Sequence, residues 1–321
     1  MPRSFVLSQP AAPIGWQMRA VMWWMAAMLL ALVWCPAQAA DSPKADSADQ
    51  VTLQLKWYHQ FQFAGYYAAQ ARGFYRKEGL EVLIREGGPD RAPLTSVLSG
   101  SAQFSIGDSD LLVARIKGQP IVALAAIFQH SPYVLLSRKD SYIRAPSDLA
   151  GKTVMTSDDQ GGIQLRCMLR REGIDPRRIN IVPQSWRLED LIYQRVDVIS
   201  AYATVEPAKM RARGIDTFEM RSLDYGVDFY GDILFTSEQE VTTHSARTAA
   251  FVRTTQKGWE YAMSHEGEIA DLILTMEGVA RRGVTRPELM AEAQTMRPFV
   301  LAGASRGRAH QCCSWSNWAR G

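Results

Sequence analysis

Four short segments carry residues whose types and spacing could grip a small polar ligand. The first is Trp57-Tyr58-His59-Gln60-Phe61, directly after an alternating apolar run at Val51, Leu53 and Leu55. Such alternation predicts a strand. Loops at the carboxyl ends of strands are where open α/β sheets bind ligands. Trp57 and Tyr58 offer planar faces for stacking and polar edges for hydrogen bonds. The alternative places these aromatics, with Phe61 and Phe63, in a core or a lid.

The second segment is Gly107-Asp108-Ser109-Asp110, between a short strand at 104–106 and a helix. Asp108 or Ser109 is expected to cap that helix, and a cleft-facing carboxylate there could also take an amino group. The third is Asp158-Asp159-Gln160-Gly161-Gly162, where free N–H groups at a helix start bind polar atoms and two glycines permit close backbone approach. A capped turn explains this segment equally well. The fourth is Tyr202 to Pro207. Glu206 precedes a proline suited to the first turn of a helix. Glutamate is a poor cap, which favours a ligand role. Beyond these, Asp228 and Asp232 flank Tyr230, a second stacking candidate.

The elements that must hold these loops alternate. Strands are expected at 51–56, 80–85, 103–106, 121–128, 132–137, 153–155, 179–182, 197–201 and 232–236. Helices are expected at 65–76, 91–100, 108–117, 147–150, 161–172, 188–194, 205–213, 245–265, 266–278 and 286–296. This order predicts α/β architecture with sheets flanked by helices. Two stretches read as crossovers between lobes, 131–139 and 228–236. They divide the chain into a first lobe from 51–135 and 231–296 and a second lobe from 136–230.

The ends differ from the middle. Residues 1–40 read as a secretory signal peptide: Arg3 and Arg19, an apolar run from Ala20 to Val33, then Ala37-Gln38-Ala39. The run is short for a span of roughly 20 residues. An uncleaved anchor is the alternative. Trp34 before Cys35 speaks against lipidation. Residues 297–321 lose all periodicity, carry Cys312-Cys313, and read as an aberrant or truncated tail.

Charge and motif exclude several classes. The formal charge is +3. Setting aside two basic residues of the leader and four arginines of 297–321 leaves 30 basic against 33 acidic side chains. That balance gives no footprint for nucleic acid. Only Cys167 lies within 40–296, so no disulfide framework is expected. There is no GxxxxGK[ST], HExxH or CxxC sequence. The histidines His59, His130, His244, His265 and His310 are scattered. No catalytic role, cofactor or metal is therefore expected.

Taken together, KWYHQFQFAGYYAAQARGFYRKEGLEV (56–82), REGGPD (85–90), the run from Phe104 to Arg138, SDLAGKTV (147–154) and Glu206-Pro207 carry a resemblance. The chain resembles the periplasmic substrate-binding proteins of ABC importers, in the branch that handles pyrimidine precursors of thiamine. The resemblance spans 51–296. It implies a two-lobed, hinge-closing type II periplasmic binding protein with two connecting strands. It also implies a planar, aminopyrimidine-like ligand held by stacking and carboxylates. Trp57, Tyr58, Asp108, Ser109, Gly161, Gly162, Glu206 and Tyr230 are the residues assigned to that ligand. The implied partners are the importer's membrane subunits, and a periplasmic monomer is expected. Related domains serve as inputs of membrane signalling proteins, which is one alternative. A fungal enzyme on the same fold, which makes the thiamine pyrimidine from its own histidine and pyridoxal phosphate, is another. Its cysteine-rich motif has no match in 51–296.

Overall fold

The computed structural model describes residues 48–300. The leader at 1–40 and residues 301–321 lie outside the described residues. Ten strands are β1 Asp49–Gln54, β2 Leu80–Arg85, β3 Phe104–Gly107, β4 Ile121–Phe128, β5 Tyr133–Arg138, β6 Thr153–Thr156, β7 Asn180–Pro183, β8 Val198–Tyr202, β9 Thr217–Arg221 and β10 Gly231–Ser237. The helices are α1 Ala64–Ala71, α2 Phe74–Lys77, α3 Pro93–Leu98, α4 Asp110–Ile116, α5 Gln160–Arg171, α6 Glu189–Ile192, α7 Glu206–Ala212, α8 Glu238–Thr243, α9 Ser245–Ala262, α10 Glu266–Leu274 and α11 Arg286–Val300.

Two mixed five-stranded sheets result, ordered β2-β1-β3-β10-β4 and β7-β6-β8-β5-β9. In each, four strands share one direction and one runs antiparallel between two of them: β10 between β3 and β4, β5 between β8 and β9. This is the type II periplasmic binding protein architecture. The chain passes between the sheets twice, through 129–132 and 226–230. β5 and β10 begin just after those passages and belong to the sheets.

Several boundaries differ from the sequence reading. β9 was not expected. It is a short edge strand, TFEMR, mostly half-buried and paired on one side only, so its alternation is weak. The last helix runs past Met296 to Val300, and Phe299 packs against Phe128 with ring centroids 6.1 Å apart. The tail boundary at 297 therefore falls inside a packed helix. Among the described residues, no helix is long and apolar enough to cross a membrane.

The first lobe is held by an aromatic core. Phe104 stacks on Phe251 at 4.0 Å, and Tyr75 stacks on the same ring at 5.1 Å. Phe61 and Phe63 are fully buried in this core, so the aromatic-rich turn sends most of its rings inward. α1 and α9 cross closely. A Cβ on Gly258 would sit 2.1 Å from the Gly65 carbonyl oxygen, a backbone atom that cannot rotate away. Gly258→Ala is therefore expected to cost about 3 kcal/mol through overpacking. That is a fall in Tm of roughly 6–12 °C, measured by calorimetric melting. A change under about 2 °C would mean the helices separate freely.

α11 also braces the loop that bears Trp57. The buried Glu292 carboxylate accepts the Phe61 N–H at 3.1 Å and the Gln62 N–H at 2.9 Å. Burial pushes its pKa up to about 8, against the pull of those two donors. A carboxyl raised in the folded state binds more protons than in the unfolded chain. Its contribution to stability is therefore present at low pH and is lost as pH rises. Between pH 7 and pH 9 the loss should be about 1.4 kcal/mol. Glu292→Gln should flatten this slope, as read from urea melts at both pH values. A parent slope equal to that of Glu292→Gln would show that Glu292 is ionised throughout.

Candidate functional site

A cavity of about 430 Å³ lies between the lobes. Its walls come from the carboxyl ends of β1, β2 and β3 on one side and of β6, β7 and β8 on the other. Both sheets thus supply their ligand-binding edges to one cleft.

Lys56 forms the floor. It follows β1, and its Nζ lies 2.7 Å from Asp108 and 2.7 Å from Asp232. It also donates to the Tyr202 hydroxyl from the opposite lobe. The Asp232 amide donates to Asp108 Oδ1 at 3.2 Å, and Gln62 Nε2 donates to both Asp232 oxygens at 3.0 and 2.9 Å. Burial alone would favour the neutral amine. Asp108 and Asp232 outweigh it and hold the Lys56 pKa above that of a free lysine. Burial pushes Asp232 up, and Lys56 only partly offsets it. Asp110, also on the wall, is raised to about 6 by burial first and then by the charges of Asp108 and Asp159.

Of the residues assigned from sequence, Trp57, Asp108 and Glu206 line the cavity. Glu206 is the first residue of α7, and its Oε2 accepts the Tyr202 N–H at 2.8 Å. Burial raises its pKa. Tyr58 stands behind Trp57, edge-on at 5.2 Å, with the Arg282 guanidinium 4.8 Å over its ring. It supports the indole and does not line the cavity.

Ser109, Gly161, Gly162 and Tyr230 are not on the cavity wall. The Ser109 N–H donates to Gln160 Oε1 at 2.5 Å, and its hydroxyl donates to the Tyr230 carbonyl at 2.9 Å. The Tyr230 ring is 53% exposed and turned to solvent. Its carbonyl also takes Gln160 Nε2 at 2.9 Å. Ser109 and Tyr230 thus tie the lobes together. The α5 start is capped by Asp159, which accepts the Gly161 N–H at 3.0 Å. A Cβ on Gly162 would lie 2.3 Å from the Ser157 carbonyl oxygen, so that glycine serves the chain's own backbone.

Sequence reasoning passed over Lys56 and the segment Gln184 to Arg187. A lysine one residue before Trp57, at a strand's carboxyl end, was a signal for the first. A lone tryptophan in a polar loop after β7 was a signal for the second.

Comparison with known proteins bears on this geometry. Residues 60–269 match the family model described as NMT1/THI5 like. The chain belongs to that family. The chain is similar to the formylaminopyrimidine-binding protein of Halalkalibacterium halodurans, 25% identical over 79% of this chain and 78% of that one. The riboflavin-binding protein RibY of Chloroflexus aurantiacus is 25% identical over 76% and 72%. A 4-amino-5-hydroxymethyl-2-methylpyrimidine phosphate synthase of Legionella pneumophila is 24% identical over 70% and 72%. In fold, the chain is similar to the periplasmic aliphatic sulphonate binding protein SsuA of Escherichia coli. The TM-score is 0.61 at 15% identity, over 77% of this chain and 78% of that one.

Proposed function

We propose that this NMT1/THI5-like protein is an extracytoplasmic solute-binding protein that captures a small planar heterocycle for an ABC importer. A thiamine pyrimidine precursor is the leading ligand class. The observation that carries this is the cavity of about 430 Å³ walled by both lobes, with an indole and carboxylates on its surface. That volume falls within the range of small-molecule sites. Trp57 supplies a stacking face, and Glu206 and Asp108 supply acceptors for amino groups. The relatives named for binding formylaminopyrimidine and riboflavin support a heteroaromatic ligand.

The synthase reading is less well supported by the chemistry of the site. A lysine that attacks a carbonyl must shed its proton, and Asp108 and Asp232 keep Lys56 charged. His59, the histidine of the Trp57 loop, turns its Nδ1 to the Tyr67 hydroxyl at 2.9 Å and does not line the cavity. The protein is accordingly proposed to bind without catalysis, as a periplasmic monomer that docks on importer membrane subunits.

Native mass spectrometry of the purified protein, followed by calorimetry, tests the reading. The probes are formylaminopyrimidine, 4-amino-5-hydroxymethyl-2-methylpyrimidine and riboflavin. Stoichiometric binding of at least one, at micromolar Kd or better, is expected. Binding of none overturns it. Loss of mass from a histidine during turnover would favour the synthase instead.

A further inference from the structure

The segment after β7 places two unusual features on the cavity wall. Trp186 adopts φ +61, the left-handed region, where a bulky residue is an outlier. Its ring is 45% exposed, so packing does not account for the conformation. Held strain of this kind gathers at ligand clamps. The ring faces Trp57 from the opposite lobe, with centroids 4.9 Å apart and planes tilted by 50°. Two residues earlier, Gln184 Nε2 donates to the Ser200 carbonyl at 2.9 Å, which orients the carboxamide. Its Oε1 is shielded from solvent and meets no protein donor. A shielded acceptor without a donor is costly. Both residues line the cavity.

We propose that Gln184 and Trp186 form the ligand-reading segment of the second lobe: Trp186 stacks on the face of the heterocycle opposite Trp57, and Gln184 Oε1 accepts an N–H from its edge. The inference rests on the heterocycle-capture reading and narrows its ligand class to planar heteroaromatics with an N–H or NH2 beside the ring. The geometry sets a condition. A ring held between two parallel indoles needs roughly 7 Å, two stacking distances of about 3.5 Å. The indoles must therefore part by about 2 Å and turn parallel, which the lobes can supply by opening slightly. Glu206 and Gln184 lie beyond different strands, β8 and β7, so each reads a separate edge of the ligand.

Calorimetry on the full chain tests this. The probes are 4-amino-5-hydroxymethyl-2-methylpyrimidine, riboflavin, and a partner of each in which the N–H-bearing position carries a methyl group. Trp186→Gly removes the ring and suits the positive φ, so folding is not at risk. It should weaken binding at least tenfold without lowering Tm, and Trp186→Phe should restore most of the loss. Gln184→Met should erase the preference for the N–H form of at least one probe pair, while the methylated probe binds as it does to the parent. If the parent binds the probes and Trp186→Gly and Gln184→Met bind like it, the inference is overturned and the capture reading stands. If the parent binds no probe, the capture reading fails and this inference fails with it.

Discussion

Lys56→Met should lower the unfolding free energy by about 3–5 kcal/mol at pH 7, the cost of stripping one partner from a buried ion cluster. Among the described residues, the Lys56 amine is the one cation within 2.7 Å of Asp108 and Asp232, which are 7% and 1% exposed. Methionine fills the same space without charge, so two carboxylates would remain buried side by side. Without the amine, burial and mutual repulsion disfavour keeping both carboxylates charged in the folded state. Stability of the variant should therefore recover as pH falls from 7 toward 5, because protonating one carboxyl lets it donate to the other. The parent should recover less, since Lys56 stays protonated throughout that range and offsets part of the rise at Asp232. Denaturant melts of both proteins at pH 5 and 7 measure the effect. A deficit below about 1 kcal/mol, or one that does not shrink at pH 5, would show that the cluster is not the charged network described. The Tyr202 hydroxyl, which reaches Lys56 from the other lobe, loses a donor as well. Closure of the cleft should weaken in parallel, visible as expansion in solution scattering.

Trp57→Ala should weaken binding of the pyrimidine probe at least tenfold, equivalent to about 1.4 kcal/mol or more, while leaving the fold intact. Trp57 is only half-buried and lies on the cavity wall, with Tyr58 behind it. Its removal takes away a stacking face, and the indole meets the core of Phe61 and Phe63 only as a partly buried neighbour. Glu206→Gln keeps the shape of the side chain and removes its charge. One oxygen already takes the Tyr202 N–H, so a ligand donor would be served by what remains of the carboxylate. A charge-assisted bond there is worth roughly 1.5–3 kcal/mol, and a loss of about tenfold or more is expected. Calorimetry paired with melting separates site from scaffold. If Trp57→Ala instead lowers stability by about 3–5 kcal/mol, as for a core aromatic, its ring belongs to the fold. If both variants bind like the parent, Trp57 and Glu206 do not hold the ligand.

Much of the fold and part of the site could be read along the chain, because both depend on local pattern. Alternating apolar positions marked β1 and β2, helical spacing marked α5 and α9, and the order of elements implied two α/β sheets. Trp57, Asp108 and Glu206 were legible because each follows the carboxyl end of a strand, a place defined by neighbours in sequence. The site's electrostatics were not. Lys56 finds Asp108 52 residues away in the chain and Tyr202 146 away, and Glu292 caps a turn 230 residues before it. No local pattern encodes such meetings; strand register and helix packing do. The same holds for direction. Tyr230 offers its carbonyl where its ring was expected, and Gly161 and Gly162 serve their own helix start. Phe61 and Phe63 point inward, while Trp57, a few residues earlier, points into the cleft. Composition named these residues as able to stack or to bind, but only the tertiary structure decided which way each one faces, since that follows from the backbone path through contacts distant in sequence.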